Sequence, residues 1–403
     1  MIIVAEIGTS HNGNLEKAFK MIDEAKEAGA DIVKFQWVYA EEILHPDTGF
    51  VKLPTGNIRL FDRFRELEVG RDFYASCSDY AHKKGLLFAC SPFGLKSLEE
   101  LLEIGCDAVK IASPEVNHLP MLEKISDCYG KIPIILSSGV SHLGDLEKAI
   151  SILTKKNPDF SPYTKVNGNL SALTLLHCIT FYPAPEEEYN VRCVKTLGDV
   201  LGVPCGISDH SLDPVLVPVL SALMGGTMIE KHITLSRKTD GLDDPVALEG
   251  EQFALMSHCV HQTQAVINRF RKEEDALNNL EDKAGYREQI PDKAVEYGIK
   301  QLSQEYDVER IYRVLGNGVK KLAASESANY GRTNRSLHYM RAMKKGETVR
   351  KEDIAVLRTE KVLTPGIAPE YQELVTGLIL KTDVTNGQGV KLTDFTERDP
   401  KYI

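Results

Sequence analysis

Four absences narrow what this chain can be. It has no block of basic residues: Lys and Arg number 48 against 58 Asp and Glu, for a net charge of −10. That argues against nucleic acid or an anionic membrane as a partner, so an anionic substrate must be gripped by lysines placed locally. No apolar run reaches the roughly 18 residues needed to span a bilayer. Met1-Ile2-Ile3-Val4-Ala5-Glu6 enters a strand directly, without a basic leader or a cleavage site. The eight cysteines (77, 90, 106, 128, 178, 193, 205 and 259) form no CxxC pair or other metal-type spacing, and several sit inside apolar patterns as buried thiols do. A reduced, cytoplasmic protein is expected. Finally, Gly8-Thr9-Ser10-His11-Asn12-Gly13 follows the first apolar run without the glycine spacing of a dinucleotide turn, which weighs against a doubly wound open sheet.

What is present is a repeated alternation. Of 403 residues, 42% are hydrophobic and 26% charged, the balance of a well-packed chain of two or three domains. Strand-like runs occur near 2–7, 31–36, 86–91, 108–112, 133–138, 173–178, 204–208 and 228–233. Helical periodicity follows near 15–28, 72–84, 96–104, 119–129, 143–155, 191–201, 214–224 and 251–271. Eight strand–helix units in this length predict an α/β fold of the (β/α)8 TIM-barrel type over residues 1–271. The long connection from Trp37 to Gly70 is a candidate substrate cover. Residues 272–333 open with Lys272-Glu273-Glu274-Asp275 and Glu281-Asp282-Lys283 and read as a charged linker with some helix, near 293–304 and 308–315. Turn signals at Lys345-Gly346, Pro365-Gly366 and Asn386-Gly387 predict a small β-rich domain over 334–403.

The chemistry sits at the strand ends. Gly206-Ile207-Ser208-Asp209-His210 and Glu230-Lys231-His232 close successive strands, so His210 and His232, 22 residues apart, become neighbours on a barrel rim and are candidates for holding one metal ion. Polar residues recur with period two at the other ends: Glu6, Lys34 and Gln36, Ser91, Lys110 with Ser113 and Glu115, Ser137, then Thr180 and Tyr182. Two lysines among several hydroxyls make a phosphate site. The competing reading pairs Lys34 and Lys110 with Glu6 and Glu115 as structural salt bridges.

These residues carry a resemblance. Ala5-Glu6-Ile7-Gly8, Val33-Lys34-Phe35-Gln36, Ser91-Pro92-Phe93, Val109-Lys110-Ile111, Leu136-Ser137-Ser138-Gly139, Leu176-His177-Cys178, Tyr182-Pro183-Ala184-Pro185 and the two histidine segments, in this order, are similar to the sialic acid synthase family. From Asn334-Arg335-Ser336-Leu337 the chain resembles that family's antifreeze-like, or SAF, domain. The resemblance implies condensation of phosphoenolpyruvate with an N-acetylated hexosamine to give a sialic-acid-type nonulosonic acid and phosphate by C–O cleavage. It implies a divalent cation, Mn²⁺ or Mg²⁺, on His210 and His232. Lys34, Ser91, Lys110, Ser113, Ser137 and Ser208 would surround phosphoenolpyruvate, and Glu6, Gln36, Asn57, Tyr182 and Asp243 the sugar. Glu115 would orient the attacking water. It further implies a domain-swapped homodimer in which Arg335 contacts the sugar's acylamino group of the partner site. Catalysis would fall chiefly to Glu115, Glu6 and Lys110. The chain departs from the family pattern at Ser10, at Thr180 (usually Asn), at Phe181, at 240–244 and in the length of its linker. Those departures face the sugar, and Tyr-Pro-Ala-Pro also occurs in the legionaminic and pseudaminic acid branches. The other readings to separate are a metal-dependent pyruvate aldolase and a polysaccharide-binding protein.

Overall fold

A computed structural model of the chain describes residues 1–53, 56–239, 241–278 and 290–395. The turn residues Pro54 and Thr55, Asp240, the charged Glu281-Asp282-Lys283 stretch and the last eight residues of the expected C-terminal domain lie outside the described residues. Eight parallel strands close a barrel in chain order: β1 Ile2–Gly8, β2 Ile32–Trp37, β3 Leu87–Pro92, β4 Ala108–Ile111, β5 Ile134–Ser137, β6 Leu173–Cys178, β7 Cys205–Asp209 and β8 Met228–His232. The helices α1 Leu15–Glu27, α2 Arg71–Lys83, α3 Leu95–Ile104, α4 Leu119–Ile125, α5 Leu143–Thr154, α6 Cys193–Leu201, α7 Leu216–Leu223 and α8 Gly250–Asn278 surround it. This is the TIM barrel that the alternation predicts, with no strand boundary displaced by more than one residue.

Side-chain alternation explains why the polar residues gather at one end. Val4, Ile32, Ala89, Ala108, Ile135, Leu176 and Met228 fill the barrel interior as one apolar layer. Two residues further along the same strands stand Glu6, Lys34, Ser91, Lys110, Ser137, Cys178 and Glu230, so the next layer toward the strand C-termini is polar. Residues between, such as Ile3, Ala5, Val33 and Ile207, face outward and pack on the helices. Each fully buried aliphatic side chain contributes roughly 1.5–3 kcal/mol, enough for the apolar layer to carry the charged one above it. Gly206 belongs to this close-packed interior: a Cβ there would lie 2.2 Å from the Met228 carbonyl oxygen. The barrel floor is closed by a short strand pair, Lys165–Asn167 and Leu170–Ser171, whose Leu170 joins the interior layer. Nothing in the apolar pattern marked that pair, because it is too short to show a period.

The connection after β2 is structured rather than an open loop. It holds the helices Ala40–Ile43 and Leu60–Glu66 and a hairpin, Phe50–Leu53 with Gly56–Arg59, around a small apolar cluster that includes Val38, Ile43, Phe61 and Phe93. After α8, helices α9 Asp292–Leu302 and α10 Val308–Leu315 run along the barrel. Asp307 caps the start of α10, accepting from the Arg310 N–H, and the Arg310 side chain ties the helix to Glu186 and Asp213. The C-terminal region has its own core of Leu337, Tyr339, Val349, Val375, Leu380 and Val390. It contains less regular strand than its turn signals suggest: β9 Arg335–Tyr339 pairs antiparallel with β10 Ile354–Arg358, and the rest is single bridges, turns and short helical segments such as Gln372–Val375. No helix among the described residues is long and apolar enough to cross a membrane.

Candidate active site

Barrel register builds the site. Glu6 is aligned with Lys34 on one side and His232 on the other, and Ser208 with Glu230. Glu6 therefore pairs with Lys34 (2.7 Å) while its other oxygen accepts from Gln36 Nε2 (2.8 Å). Lys34 Nζ also donates to Ser91 Oγ at 3.2 Å. Lys110 donates to both oxygens of Glu230 at 2.9 and 3.0 Å, and Ser208 donates to Glu230 as well. Of the competing structural pairing, Lys34 with Glu6 is present; Lys110 pairs with Glu230 instead of Glu115, because β8 comes across the interior at that height. Burial opposes charge on Glu230, yet the two lysines outweigh it and hold this carboxyl down to about 2.

A cavity of about 310 Å³ opens above these residues, a size typical of small-molecule sites. Of the residues singled out from sequence, Glu6, Lys34, Gln36, Ser91, Lys110, Ser113, Ser137, Thr180, Tyr182, Ser208, His210, His232 and Asp243 line it. On its wall, Ser137 Oγ and Thr180 Oγ1 are buried without a hydrogen-bond partner among the described residues. Buried hydroxyls are rarely left so, which marks this wall for a ligand rich in acceptors. In the same cavity the rings of His210 and His232 stand 5.5 Å apart, with Tyr182 against His210. His210 Nδ1 lies 2.7 Å from the Ile179 carbonyl oxygen, so Nδ1 carries a proton and Nε2 faces Ser208. Burial pushes His232 down to about 3, leaving a neutral ring with a free lone pair. At His210, burial is outweighed by the Cys178 thiol and the Ile179 carbonyl, which move it up to about 9. Burial, assisted by the Asp244 charge and opposed by His210 and Lys34, raises Asp243, 3.7 Å from His232, to about 6. Among the described residues no group of three or more His, Cys, Asp or Glu is arranged as a metal cage. Two histidine rings facing one cavity suit a cation that keeps water or substrate oxygens in its remaining positions, its binding displacing the proton that His210 otherwise holds.

Three expected residues are placed elsewhere. Asn57 is exposed on the hairpin after β2 and does not reach the cavity wall. Glu115 is fully buried, and each of its oxygens meets a guanidinium, Arg335 and Arg358, both at 2.6 Å. It has no free edge to present to water in the cavity. Arg335 directs further donors at the carbonyl oxygens of Glu42, Phe93 and Val356, and its side chain is fully buried and does not line the cavity. Arg358, directly across the β9–β10 pair from Arg335, is the guanidinium that lines the cavity, together with Lys361. These contacts join the C-terminal region to the barrel of the same chain. Cys178, Asn329 and Thr333 also line the wall and were not anticipated. Cys178 was recoverable, since it stands two residues beyond the interior Leu176; Asn329 and Thr333 follow no period.

Comparison with known proteins agrees with this geometry. Residues 21–272 match the NeuB family and residues 334–396 the SAF domain. The spore coat polysaccharide biosynthesis protein SpsE of Bacillus subtilis is 27% identical, over 100% of this chain and 95% of its own. Its crystal structure superposes with a TM-score of 0.73 at 26% identity, covering 99% of this chain and 96% of that one. The N,N'-diacetyllegionaminic acid synthase of Campylobacter jejuni is 27% identical, over 93% of this chain and 94% of its own. The N-acetylneuraminic acid synthetase structure from Leptospira borgpetersenii has a TM-score of 0.57 at 28% identity, covering 76% of this chain and 93% of that one. With its barrel and its C-terminal SAF domain both matched, the chain belongs to the NeuB, or sialic acid synthase, family.

Proposed function

We propose that the protein condenses phosphoenolpyruvate with an N-acetylated hexosamine and one water: C3 of phosphoenolpyruvate bonds to the aldehyde carbon, water adds at C2, and phosphate leaves by C–O cleavage to give a nonulosonic acid. The observation that carries this reading is the make-up of the cavity wall. Lys34, Lys110 and two unpartnered hydroxyls line the same cavity as two histidines and Asp243. The lysines and hydroxyls suit the phosphate and carboxylate of phosphoenolpyruvate. Its cations and hydroxyls stabilise the charge that builds on the leaving phosphate as the C–O bond breaks. Tyr182, Gln36 and Asp243 orient the open-chain sugar, so that its aldehyde carbon meets C3 of phosphoenolpyruvate. Arg358 and Lys361 close the cavity mouth, exclude bulk water and offer donors to the sugar's acylamino group. A divalent cation, Mn²⁺ or Mg²⁺, bound between His210 and His232 would supply Lewis acidity at that aldehyde.

The acceptor can be N-acetylmannosamine or a 2,4-diacetamido sugar of the legionaminic or pseudaminic branch. Thr180 in place of the usual Asn, and the likeness to the legionaminic acid synthase, favour testing the diacetamido sugars first. The deciding experiment measures phosphate release and product mass with phosphoenolpyruvate, a divalent cation and a panel of such sugars. Turnover with pyruvate in place of phosphoenolpyruvate would instead identify an aldolase. Carbohydrate binding that survives loss of both histidines, without turnover, would identify a binding protein.

The homodimer remains part of the proposal. Mixing inactive His232→Ala protein with inactive Arg358→Ala protein tests exchange of C-terminal domains, since recovered activity requires one intact composite site. No recovery under subunit exchange means that each chain completes its own site.

A further inference from the structure

Residues 273–333 fall between the two family matches, yet part of this segment reaches the barrel rim. After α10, Lys320 Nζ donates to the Ser138 carbonyl at 3.0 Å. A single 3-10 turn, Ala324–Glu326, then drives Glu326 inward until it is 1% exposed. One oxygen, Oε1, accepts both the Val140 N–H (2.8 Å) and the Thr180 N–H (2.6 Å). The other caps its own turn at the Ala323 N–H. Val140 and Thr180 belong to the loops that leave β5 and β6, the two strands nearest the unpartnered hydroxyls. Val140 also sits at φ +42, a left-handed conformation that a β-branched residue keeps only when its surroundings hold it. Ser113 Oγ accepts the adjacent Gly139 N–H at 3.0 Å, and a Cβ on Gly139 would lie 2.1 Å from Thr180 Oγ1. The two loops therefore meet in van der Waals contact, with Glu326 bridging them from behind.

We propose that Glu326 is a positioning residue for the hydroxyl-bearing wall of the cavity. Through the amides of Val140 and Thr180 it sets the loops after β5 and β6, so that the Ser137 and Thr180 hydroxyls converge on one ligand. Glu326 does not itself line the cavity wall, and it touches neither hydroxyl by hydrogen bond. The inference rests on the functional reading above for the identity of the anion, and on the structure alone for the geometry. Because a single oxygen takes both N–H groups, a glutamine with its carbonyl at that position keeps the bridge and gives up only the Ala323 cap, whereas an aspartate, one methylene shorter, cannot span both.

The test uses the full chain with Glu326→Ala, Glu326→Gln and Glu326→Asp. The expected result is a rise of about tenfold in KM for phosphoenolpyruvate in the alanine variant, the size expected from losing charge-assisted hydrogen bonds. Turnover number and acceptor KM stay within about twofold in the same variant, as for a loss confined to one substrate's site. Glutamine restores the KM, aspartate does not, and amide exchange at Val140 and Thr180 quickens in step. If the alanine variant does not fold, the aspartate variant carries the same prediction. An unchanged KM, equal losses for both substrates, or no rescue by glutamine overturns the proposal. Titration with inorganic phosphate separates this from failure of the functional reading. If no sugar is turned over but phosphate still binds more weakly to Glu326→Ala than to wild type, the positioning role stands without the synthase reading. If phosphate binds both alike, it is the positioning role that falls.

Discussion

The barrel rim and the junction with the C-terminal domain each bury a cluster of opposite charges, and the two clusters are built to different ends. At the rim, Lys34 and Lys110 are paired with Glu6 and Glu230, but the hydroxyls of Ser137 and Thr180 beside them have no partner. At the junction, Glu115 is clasped by Arg335 and Arg358, and Arg335 distributes its donors among a carboxylate and backbone carbonyls. Buried charge is costly in both places and must be compensated. The rim keeps unused hydrogen-bonding capacity for a ligand, whereas Arg335 and Glu115 have spent theirs on holding the fold. Charge and burial alone do not separate a site from a staple; the unpaired remainder does.

The strongest test of that contrast lies at the rim. His232→Ala should lower turnover by about two orders of magnitude or more, a loss of the size seen when an electrostatic catalytic group is removed. Its melting temperature should stay near wild type; unchanged turnover in metal-defined buffer would remove His232 from the chemistry. Lys110→Met should weaken phosphoenolpyruvate binding by about 100-fold, in line with losses on truncating one partner of a buried charge pair. Calorimetric titration checks this, and equal binding would return Lys110 to a structural role.

At the junction the loss should appear as stability. Arg335→Met leaves Glu115 short of a partner and should cost about 3–5 kcal/mol in urea unfolding, with both substrate KM values moving together. A selective loss of sugar affinity at full stability would restore Arg335 to the sugar site. Burial would raise Glu115, but Arg335 and Arg358 outweigh it and hold the carboxyl below its ordinary value of 4.5. A depressed folded-state value means that the stabilisation is present above about pH 4.5 and is lost as the pH falls below it. Melting temperature followed through that range should decline, and Glu115→Gln should flatten the decline. The smallest effect is expected from Thr180→Val, which removes an unpartnered hydroxyl: stability within about 0.5 kcal/mol of wild type, and KM for phosphoenolpyruvate up by roughly threefold to tenfold. A large destabilisation would mean that this hydroxyl is bonded in solution.

The fold was legible because each barrel strand and helix announces its own period, and because the polar layer lies two residues beyond the apolar one on each strand. Pairings across the barrel were less legible. Lys110 meets Glu230 through register and strand tilt, neither of which the sequence states locally, while the nearer Glu115 looked the better partner. Arg335 and Arg358 show the same limit more sharply. They are cross-strand neighbours on a short antiparallel pair, and only the docking of that pair on the barrel decides which guanidinium faces the cavity. Glu326 was invisible for a further reason: its partners are backbone amides, which carry no sequence signature at all.

The connection after β2 is stitched to the C-terminal domain chiefly by backbone. Leu44 bridges to Arg358, the Val362 N–H donates to the Thr48 carbonyl, and Thr48 Oγ1 donates to the Thr359 carbonyl. The apolar clusters of the two regions are separate. Because the Arg335 guanidinium reaches the Glu42 carbonyl of the connection while it grips Glu115 of the barrel, all three parts share one buried anchor, and a displacement of any one of them is felt by the other two.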